Sequence, residues 1–103
     1  MKIEDLEVRH MLPGTEARLV HSDRMTLAFW HFEPGTDLPE HAHPHDQITT
    51  VLEGEFELTI DGTPEILTEG HYRVIPSEAV HSGHAITDCR IIDVFSPVRE
   101  DFK

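Results

Sequence analysis

The chain has 103 residues, 38 % of them hydrophobic, which is enough for one compact domain and too few for two. Its 8 Lys and Arg residues stand against 20 Asp and Glu residues, a formal net charge of −12 that repels phosphate backbones and anionic lipid head groups. We therefore expect neither nucleic acid nor membrane as a partner, and no apolar run approaches the roughly 18 residues needed to span a bilayer.

The cysteine content and the first ten residues predict the compartment. Cys89 has no second cysteine with which to form an intramolecular disulfide, as is typical of a reducing compartment. The N-terminal sequence MKIEDLEVRH is too charged for the apolar core of a secretory signal. We expect a cytoplasmic protein in which Cys89 is a small packing residue and not a reactive thiol.

Short segments rich in Val, Ile, Thr and aromatic residues follow one another along the chain. In chain order they are TEARLV, RMTLAFWHF, QITTVLEG, EFELTI, PEILTEG, YRVIP and CRIIDVF. The segment EPGTDLPE is predicted to be a loop, the Asp61-Gly62 pair a hairpin turn, and PSEAV one turn of 3₁₀ helix. No segment has a helical stripe. The pattern predicts a single all-β domain over residues 1–103, a barrel or a sandwich.

One run, HAHPHDQ, raises the question of a metal site. His41, His43, His45 and Gln47 occupy alternate positions, so on a straight strand they would share a face but span about 20 Å. Metal–nitrogen bonds are about 2.1 Å long, so the chain must bend if the run binds one ion. Pro44 is well placed for that bend. His41 and His43 could then reach an ion together, and Gln47 could rejoin them from the next strand.

A complete site needs a further ligand from elsewhere in the chain. His81 follows Pro76 and precedes a small, polar segment, and His84 is a competing candidate three residues later. Any one of these histidines by itself would be interpreted as a solvated loop residue. The whole constellation favours a metal site instead.

The spacing of these residues resembles that of the cupin family. The first cupin motif matches residues 35–54: Gly35, five residues, His41-Ala42-His43, then Gln47 in place of the usual acid, and Gly54. The second matches residues 70–85: Gly70, five residues, Pro76, then Glu78 where glycine is usual, and His81. The resemblance implies a cupin-type β-barrel, also called a double-stranded β-helix or jelly roll.

The resemblance also implies a ligand set. It places one divalent transition metal near the mouth of the barrel, held by His41, His43, Gln47 and His81, with His45 and His84 beside it or in its pocket. Imidazole and oxygen ligands suit Ni²⁺, Zn²⁺, Mn²⁺, Fe²⁺ or Co²⁺ and do not choose among them. Because all four ligands are neutral, the metal keeps its full charge, which favours a Lewis-acid role over an oxidised iron. A disarmed site is the alternative interpretation.

The last predicted strand adds charged residues to this picture. By alternation, Ile91, Asp93 and Phe95 share one face, and a carboxylate on an apolar face needs a partner or a function. Asp93 could pair with an arginine, or act as a general acid/base facing the metal. Arg99 could bind a substrate carboxylate through two hydrogen bonds, or form a surface ion pair. The candidate partners in these ion pairs are Arg73 or Arg99 for Asp93, and Glu100 or Asp101 for Arg99.

The segments HAHPHDQ, VLEGEFELTI and DVFSPVREDF together resemble the small pectin-degradation cupins. That family acts on monomeric 4,5-unsaturated uronates and converts them to linear ketonised products, with glutamine as the fourth metal ligand. The resemblance implies that Asp93, Phe95 and Arg99 are catalytic, that the substrate is a small anionic sugar, and that the protein is a homodimer. Two alternatives stay open: another metal-dependent activity, such as a sugar isomerase or an oxygenase, or a non-enzymatic module that binds a metal or a small ligand.

Overall fold

The computed structural model describes all 103 residues, and β-strands make up almost all of its regular structure. The nine strands are β1 Thr15–His21, β2 Thr26–Phe32, β3 Asp37–His41, β4 Asp46–Glu53, β5 Phe56–Ile60, β6 Thr63–Leu67, β7 Tyr72–Ile75, β8 His81–Ala85 and β9 Cys89–Ser96. Short 3₁₀ helices at Ile3–Asp5 and Glu100–Phe102 flank them. There is no α-helix, and hence no helix long and apolar enough to cross a membrane. The predicted all-β class is confirmed.

The strands form two antiparallel sheets that face each other across the core. One sheet has the order β1-β2-β9-β4-β7 and the other the order β3-β8-β5-β6. Strand β9 lies in the middle of the five-stranded sheet, which explains why both of its faces are largely apolar. The Asp61-Gly62 turn between β5 and β6 has φ values of 48° and 82°, the pair of positive angles that a tight two-residue hairpin requires.

Two strands that line the site were not predicted from the sequence. We predicted the segment EPGTDLPE, residues 33–40, to be a loop because it carries two prolines. Its first four residues form a turn, but its last four belong to strand β3. Proline is tolerated here because β3 is the edge strand of its sheet, where a missing N–H disrupts no ladder. Strand β8 is composed of small and polar residues, and its Gly83 is required because a Cβ would overlap the Phe56 ring. The segment PSEAV forms a hydrogen-bonded turn and not the predicted 3₁₀ helix.

The core fills the space between the inner faces of the two sheets. It is one cluster of apolar side chains, including Phe32, Val51, Phe56, Leu67, Ile75 and Ile91. Cys89 belongs to this cluster, and burial raises the pKa of its thiol. The apolar cluster surrounds a smaller set of buried polar side chains, and those form the site described below.

Glu78 takes a backbone conformation that usually belongs to glycine. Its φ is 68°, at the position where the second motif has glycine. The left-handed region is unfavourable for a residue with a Cβ, whereas glycine adopts it without steric penalty. We expect Glu78→Gly to raise the free energy of unfolding by about 0.5–1 kcal/mol, measured by urea denaturation. Glu16→Gly, in strand β1, is the matched control and should lower the stability by a similar amount. A less stable Glu78→Gly protein would contradict the expectation.

Candidate metal centre and acid pocket

Three histidines and a glutamine from three strands and one bend converge at one end of the space between the sheets. His41 ends β3 and His81 begins β8, and the two residues are directly opposite each other in the pairing of these strands. His43 lies in the bend after β3, and Gln47 is the second residue of β4. The potential ligand nitrogens of the three histidines lie within 4.8 Å of one another. The bend at Pro44 brings the run together as predicted.

The backbone fixes the tautomer of all three imidazoles. Each Nδ1 lies against a carbonyl oxygen: His41 against Pro39 at 2.8 Å, His43 against His45 at 3.0 Å, and His81 against Ala79 at 2.9 Å. A carbonyl can only accept, so each Nδ1 must carry the proton and donate. The three Nε2 atoms are therefore left with lone pairs, in the arrangement that metal-binding histidines use.

The polar atoms at the centre of this cluster lack suitable partners within the protein. His43 Nε2 lies 3.0 Å from Gln47 Oε1, so two acceptors face each other. His81 Nε2 is buried without any hydrogen-bond partner. Burial lowers the pKa of His81 to about 4 and lowers the pKa of His43 as well. Protonation of the Nε2 atoms, which would turn them into donors, is therefore unfavourable. A cation shared by these lone pairs would satisfy them all, so the residues present fit a divalent transition metal.

The other two candidate histidines lie outside this cluster. His84 is on the outer face of β8, where it pairs with Asp37 at 2.6 Å, so the expectation that it lies beside the metal or in its pocket was wrong. Three residues along a strand reverse the side-chain direction, which separates His84 from His81. His45 is half-buried, and its ring centroid lies 5.4 Å from that of His43. Its carbonyl orients His43, and its ring does not join the converging lone pairs.

A cavity of about 330 Å³ extends from the cluster into the barrel. Most of its wall is apolar, from residues such as Leu38, Phe56, Leu58 and Ile91. The four-stranded sheet contributes His41, His81 and Ser82 to its polar lining. The five-stranded sheet and the segment after it contribute Gln47, Thr49, Asp93 and Arg99, together with the indole of Trp30. The histidine cluster and a buried acid therefore open into the same space.

Asp93 is the buried acid, with 8 % of its surface exposed. The hydroxyl of Thr49 donates to its Oδ1 at 2.6 Å. Burial raises the pKa of Asp93, while hydrogen bonding from Thr49 partly offsets that effect. No arginine pairs with it directly: Arg73 forms its ion pair with Glu65, so the structural explanation from the sequence does not apply.

Arg99 is buried, with 7 % of its surface exposed, and its guanidinium lies between two aromatic rings. It is 4.7 Å from the Phe95 ring centroid and 3.9 Å from that of Phe102, a cation–π arrangement. Its Nε and Nη2 donate to the two carboxylate oxygens of Asp101, at 3.0 and 2.7 Å. The ion pair with Asp101 is one of the two alternatives that the sequence left open for Arg99. The Nη1–Nη2 edge keeps N–H groups for a substrate carboxylate, so the two-bond clamp stays a prediction.

Comparisons with known proteins agree with this architecture. The model of the cupin domain matches residues 28–95, which is more than half of the chain. The chain belongs to the cupin family. This cupin is 35 % identical over 83 residues to the pectin degradation protein KdgF of Dickeya dadantii, covering 79 % of this chain and 76 % of that protein. The resemblance and the barrel fold predicted from the two motifs are confirmed.

Two further similarities place this cupin among proteins of different kinds. The solved structure of KdgF from Halomonas sp. superposes with a TM-score of 0.91 at 29 % identity, covering 97 % of this chain and 94 % of that one. The HTH-type transcriptional regulator PuuR of Escherichia coli is 34 % identical over 91 residues, which are 82 % of this chain. Those residues make up 49 % of the regulator, so this cupin corresponds to about half of it.

The structure adds residues to the site of this cupin that the sequence did not reveal. Thr49 could have been found, because it lies two residues after Gln47 and so shares its face of β4. Trp30 has a buried indole N–H without a hydrogen-bond partner, and only the pairing of β2 with β9 brings it near Asp93. Phe102 lines the cavity through the fold of the C-terminal segment, for which the sequence carries no periodic signal.

Proposed function

We propose that this cupin is a metal-dependent enzyme that converts monomeric 4,5-unsaturated uronates, from pectin or alginate breakdown, to linear ketonised products. The observation that carries the proposal is that a cluster of three imidazoles and an amide opens into the same cavity as a buried carboxyl group. The 35 % identity to a protein named for pectin degradation supports the substrate class. The proposed metal ligands are His41, His43, Gln47 and His81.

The residues of the cavity have separate tasks in this reaction. A divalent metal bound at the four ligands would supply Lewis-acid polarisation of a sugar oxygen. Asp93 would deliver a proton to the enol carbon, while the anomeric hydroxyl loses one and the ring C–O bond breaks. The proton gained and the proton lost balance, so the ring opens to a ketone and an aldehyde without an oxidant or a reductant.

Arg99 and Phe95 would hold the substrate for this proton transfer. The Arg99 Nη1 edge is the part of the guanidinium left for a carboxylate, since Asp101 binds the other edge. Phe95 forms a wall of the cavity and one side of the cation–π arrangement that fixes Arg99. Asp101 offsets the charge of Arg99, so the divalent metal together with Arg99 would supply the local positive charge with which a protein of net charge −12 could bind a small anion.

A direct assay tests this function. Metal-free protein is loaded separately with Ni²⁺, Zn²⁺, Mn²⁺, Fe²⁺ or Co²⁺ and incubated with 4,5-unsaturated galacturonate, and the loss of the enol-ether ultraviolet absorbance is followed. We expect at least one metal form to exceed the spontaneous rate. A rate equal to the background with every ion would show that the uronate assignment is wrong. Oxygen consumption by the Fe²⁺ form would point to an oxygenase instead.

The similarity to PuuR favours a second candidate function. This cupin corresponds to about half of that transcriptional regulator, and its cavity is largely apolar, as in a module that binds a small ligand without converting it. A module that only binds a ligand would keep its biological role in the Asp93→Asn and Arg99→Ala variants, whereas an enzyme that uses these residues would lose it.

We also propose that this single domain, residues 1–103, acts in the cytoplasm as a homodimer. The outer face of the five-stranded sheet supports the dimer, because the strand register aligns one apolar side chain from each strand in an unbroken row. The row is Val20, Leu27, Val94, Ile48 and Val74. The adjacent row, Arg18, Phe29, Ile92, Thr50 and Tyr72, contains no acid either.

A second copy of the chain is the partner that this face fits. Two molecules of net charge −12 repel each other, and this repulsion is smallest where they meet at a surface without acidic residues. The rows extend about 19 Å across all five strands of the sheet. We expect a sedimentation mass of twice 11.8 kDa for the wild type. Val94→Lys should give the monomer mass, and Ile66→Lys, on the exposed face of the other sheet, should not. A monomeric wild type would exclude the dimer.

A further inference from the structure

Thr49 connects the proposed metal ligand Gln47 to the buried acid. It is 3 % exposed, lies two residues after Gln47 on β4, and is directly opposite Asp93 in the pairing of β4 with β9. Gln47 Nε2 donates to Thr49 Oγ1 at 3.0 Å, and Thr49 Oγ1 donates to Asp93 Oδ1 at 2.6 Å. The three side chains thus form one directed chain of hydrogen bonds.

The direction of this chain follows from the number of protons available. A hydroxyl has a single proton, so a Thr49 hydroxyl that donates to Asp93 can only accept from Gln47. The amide nitrogen of Gln47 must therefore face Thr49, which turns its oxygen toward the histidines, 3.0 Å from His43 Nε2. This direction holds when Asp93 is ionised and when its proton is on Oδ2, because Oδ1 accepts in both forms, whereas a proton on Oδ1 would reverse it.

The opposite orientation of the amide would be unsuitable for a metal. The two ends of a side-chain amide have nearly the same shape, so packing alone distinguishes them poorly. A flipped Gln47 would present its NH₂ group, which has no lone pair to offer, to the three Nε2 atoms. The hydrogen bond from Gln47 to Thr49 is therefore what distinguishes the two orientations.

We propose that Thr49 is a positioning residue that holds the Gln47 amide with its oxygen toward the metal and, through the same hydroxyl, holds Asp93. The inference rests on the proposed metal site and names a residue that acts through its neighbours, without contact to the metal. Thr49→Val keeps the shape of the side chain but removes the hydroxyl that orients Gln47 and Asp93. Thr49→Ser keeps that hydroxyl.

The test measures binding of Co²⁺ alone, by calorimetry, to metal-free wild type, Thr49→Val and Thr49→Ser. Loss of a group that orients a metal ligand typically weakens binding about 10- to 100-fold, which we expect for Thr49→Val. Thr49→Ser should stay within about threefold of the wild type, since it restores the hydroxyl. Equal affinity of Thr49→Val and wild type would overturn the inference.

A second background separates orientation from general damage to the site. In Gln47→Glu the two carboxylate oxygens are equivalent, so no amide has to be turned. We expect Thr49→Val to change the Co²⁺ affinity of the Gln47→Glu protein by less than about threefold. An equal loss in both backgrounds would show that Thr49 acts only through packing, and would overturn the inference.

A measurement without any variant covers the case in which Thr49→Val does not fold. In ¹⁵N-labelled metal-free wild type, the Gln47 side-chain NH₂ protons should show nuclear Overhauser effects to Thr49 and not to the imidazole protons of His43. The reverse pattern would overturn the inference. Failure of the wild type to bind Co²⁺ would instead show that the proposed metal site is wrong, whereas failure of the uronate assay alone would leave the positioning role intact.

Discussion

Asp93→Asn is expected to reduce the conversion of 4,5-unsaturated galacturonate by about 10²- to 10⁴-fold, the usual contribution of a general acid/base. Asparagine keeps an oxygen that can accept the hydrogen bond from Thr49, which is 2.6 Å long in the structure, so the cavity should keep its shape. It cannot deliver a proton. The rate is measured by the loss of the enol-ether absorbance at saturating metal.

The Asp93→Asn variant has two controls that separate chemistry from folding. Its affinity for Co²⁺ should be unchanged within about threefold, since Asp93 is not among the proposed ligands and the asparagine oxygen still accepts from Thr49, which keeps the Gln47 amide in place. In the metal-free protein it should also be more stable than the wild type, because burial raises the pKa of Asp93 and a neutral amide avoids the cost of an ionised buried group. A variant as fast as the wild type would show that the acid/base assignment is wrong, although the substrate assignment could survive.

Metal binding is expected to stabilise the fold strongly, because the cluster joins the β3–β8 pair to the bend and to β4. At a free metal concentration of 100 times Kd, a ligand that binds only the folded state adds about 2.7 kcal/mol to the free energy of unfolding. For a domain of this size that corresponds to a rise in Tm of about 10 to 20 °C. The Tm is measured by scanning calorimetry with and without Co²⁺ or Ni²⁺.

Two histidines of the same motif regions provide a matched pair for this measurement. His41→Ala should abolish most of the metal-dependent rise in Tm, and because His41 is exposed the variant should still fold. His84→Ala should keep the full rise, since that side chain lies on the outer face and pairs with Asp37. A rise of equal size in both variants would place the metal elsewhere and contradict the proposed ligand set.

The sequence allowed the core of the site to be predicted because its spacing has few geometric solutions. His41 and His43 cannot share an ion with Gln47 unless the chain bends, and Pro44 marks the bend that the structure shows. The face shared by Ile91, Asp93 and Phe95 is likewise buried as alternation predicts. Both predictions are local, since they involve residues within one turn or one strand.

Predictions that depended on contacts between distant segments were less successful. The second half of the predicted loop EPGTDLPE belongs to strand β3. Composition alone cannot show that Pro39 lies on an edge strand, where proline is tolerated. His81 was chosen over His84 as the ligand, but the expectation that His84 lies near the metal was wrong. The direction of a side chain on β8 depends on where the strand begins, which the sequence does not reveal. For Arg99 the sequence left open a substrate clamp or an ion pair with Glu100 or Asp101, and only the fold of the C-terminal segment shows that Asp101 is the partner.

The amino-acid sequence by itself therefore determines the all-β class, the family and the candidate ligands, because alternation and motif spacing are local properties of the chain. Only the tertiary structure decides which partners the polar side chains have. The hydrogen bonds from Gln47 through Thr49 to Asp93 cross from β4 to β9. Thr49 and Asp93 are 44 positions apart in the sequence. Such contacts depend on how the strands pair in the sheet, and pairing between distant strands is not encoded in the composition of either one.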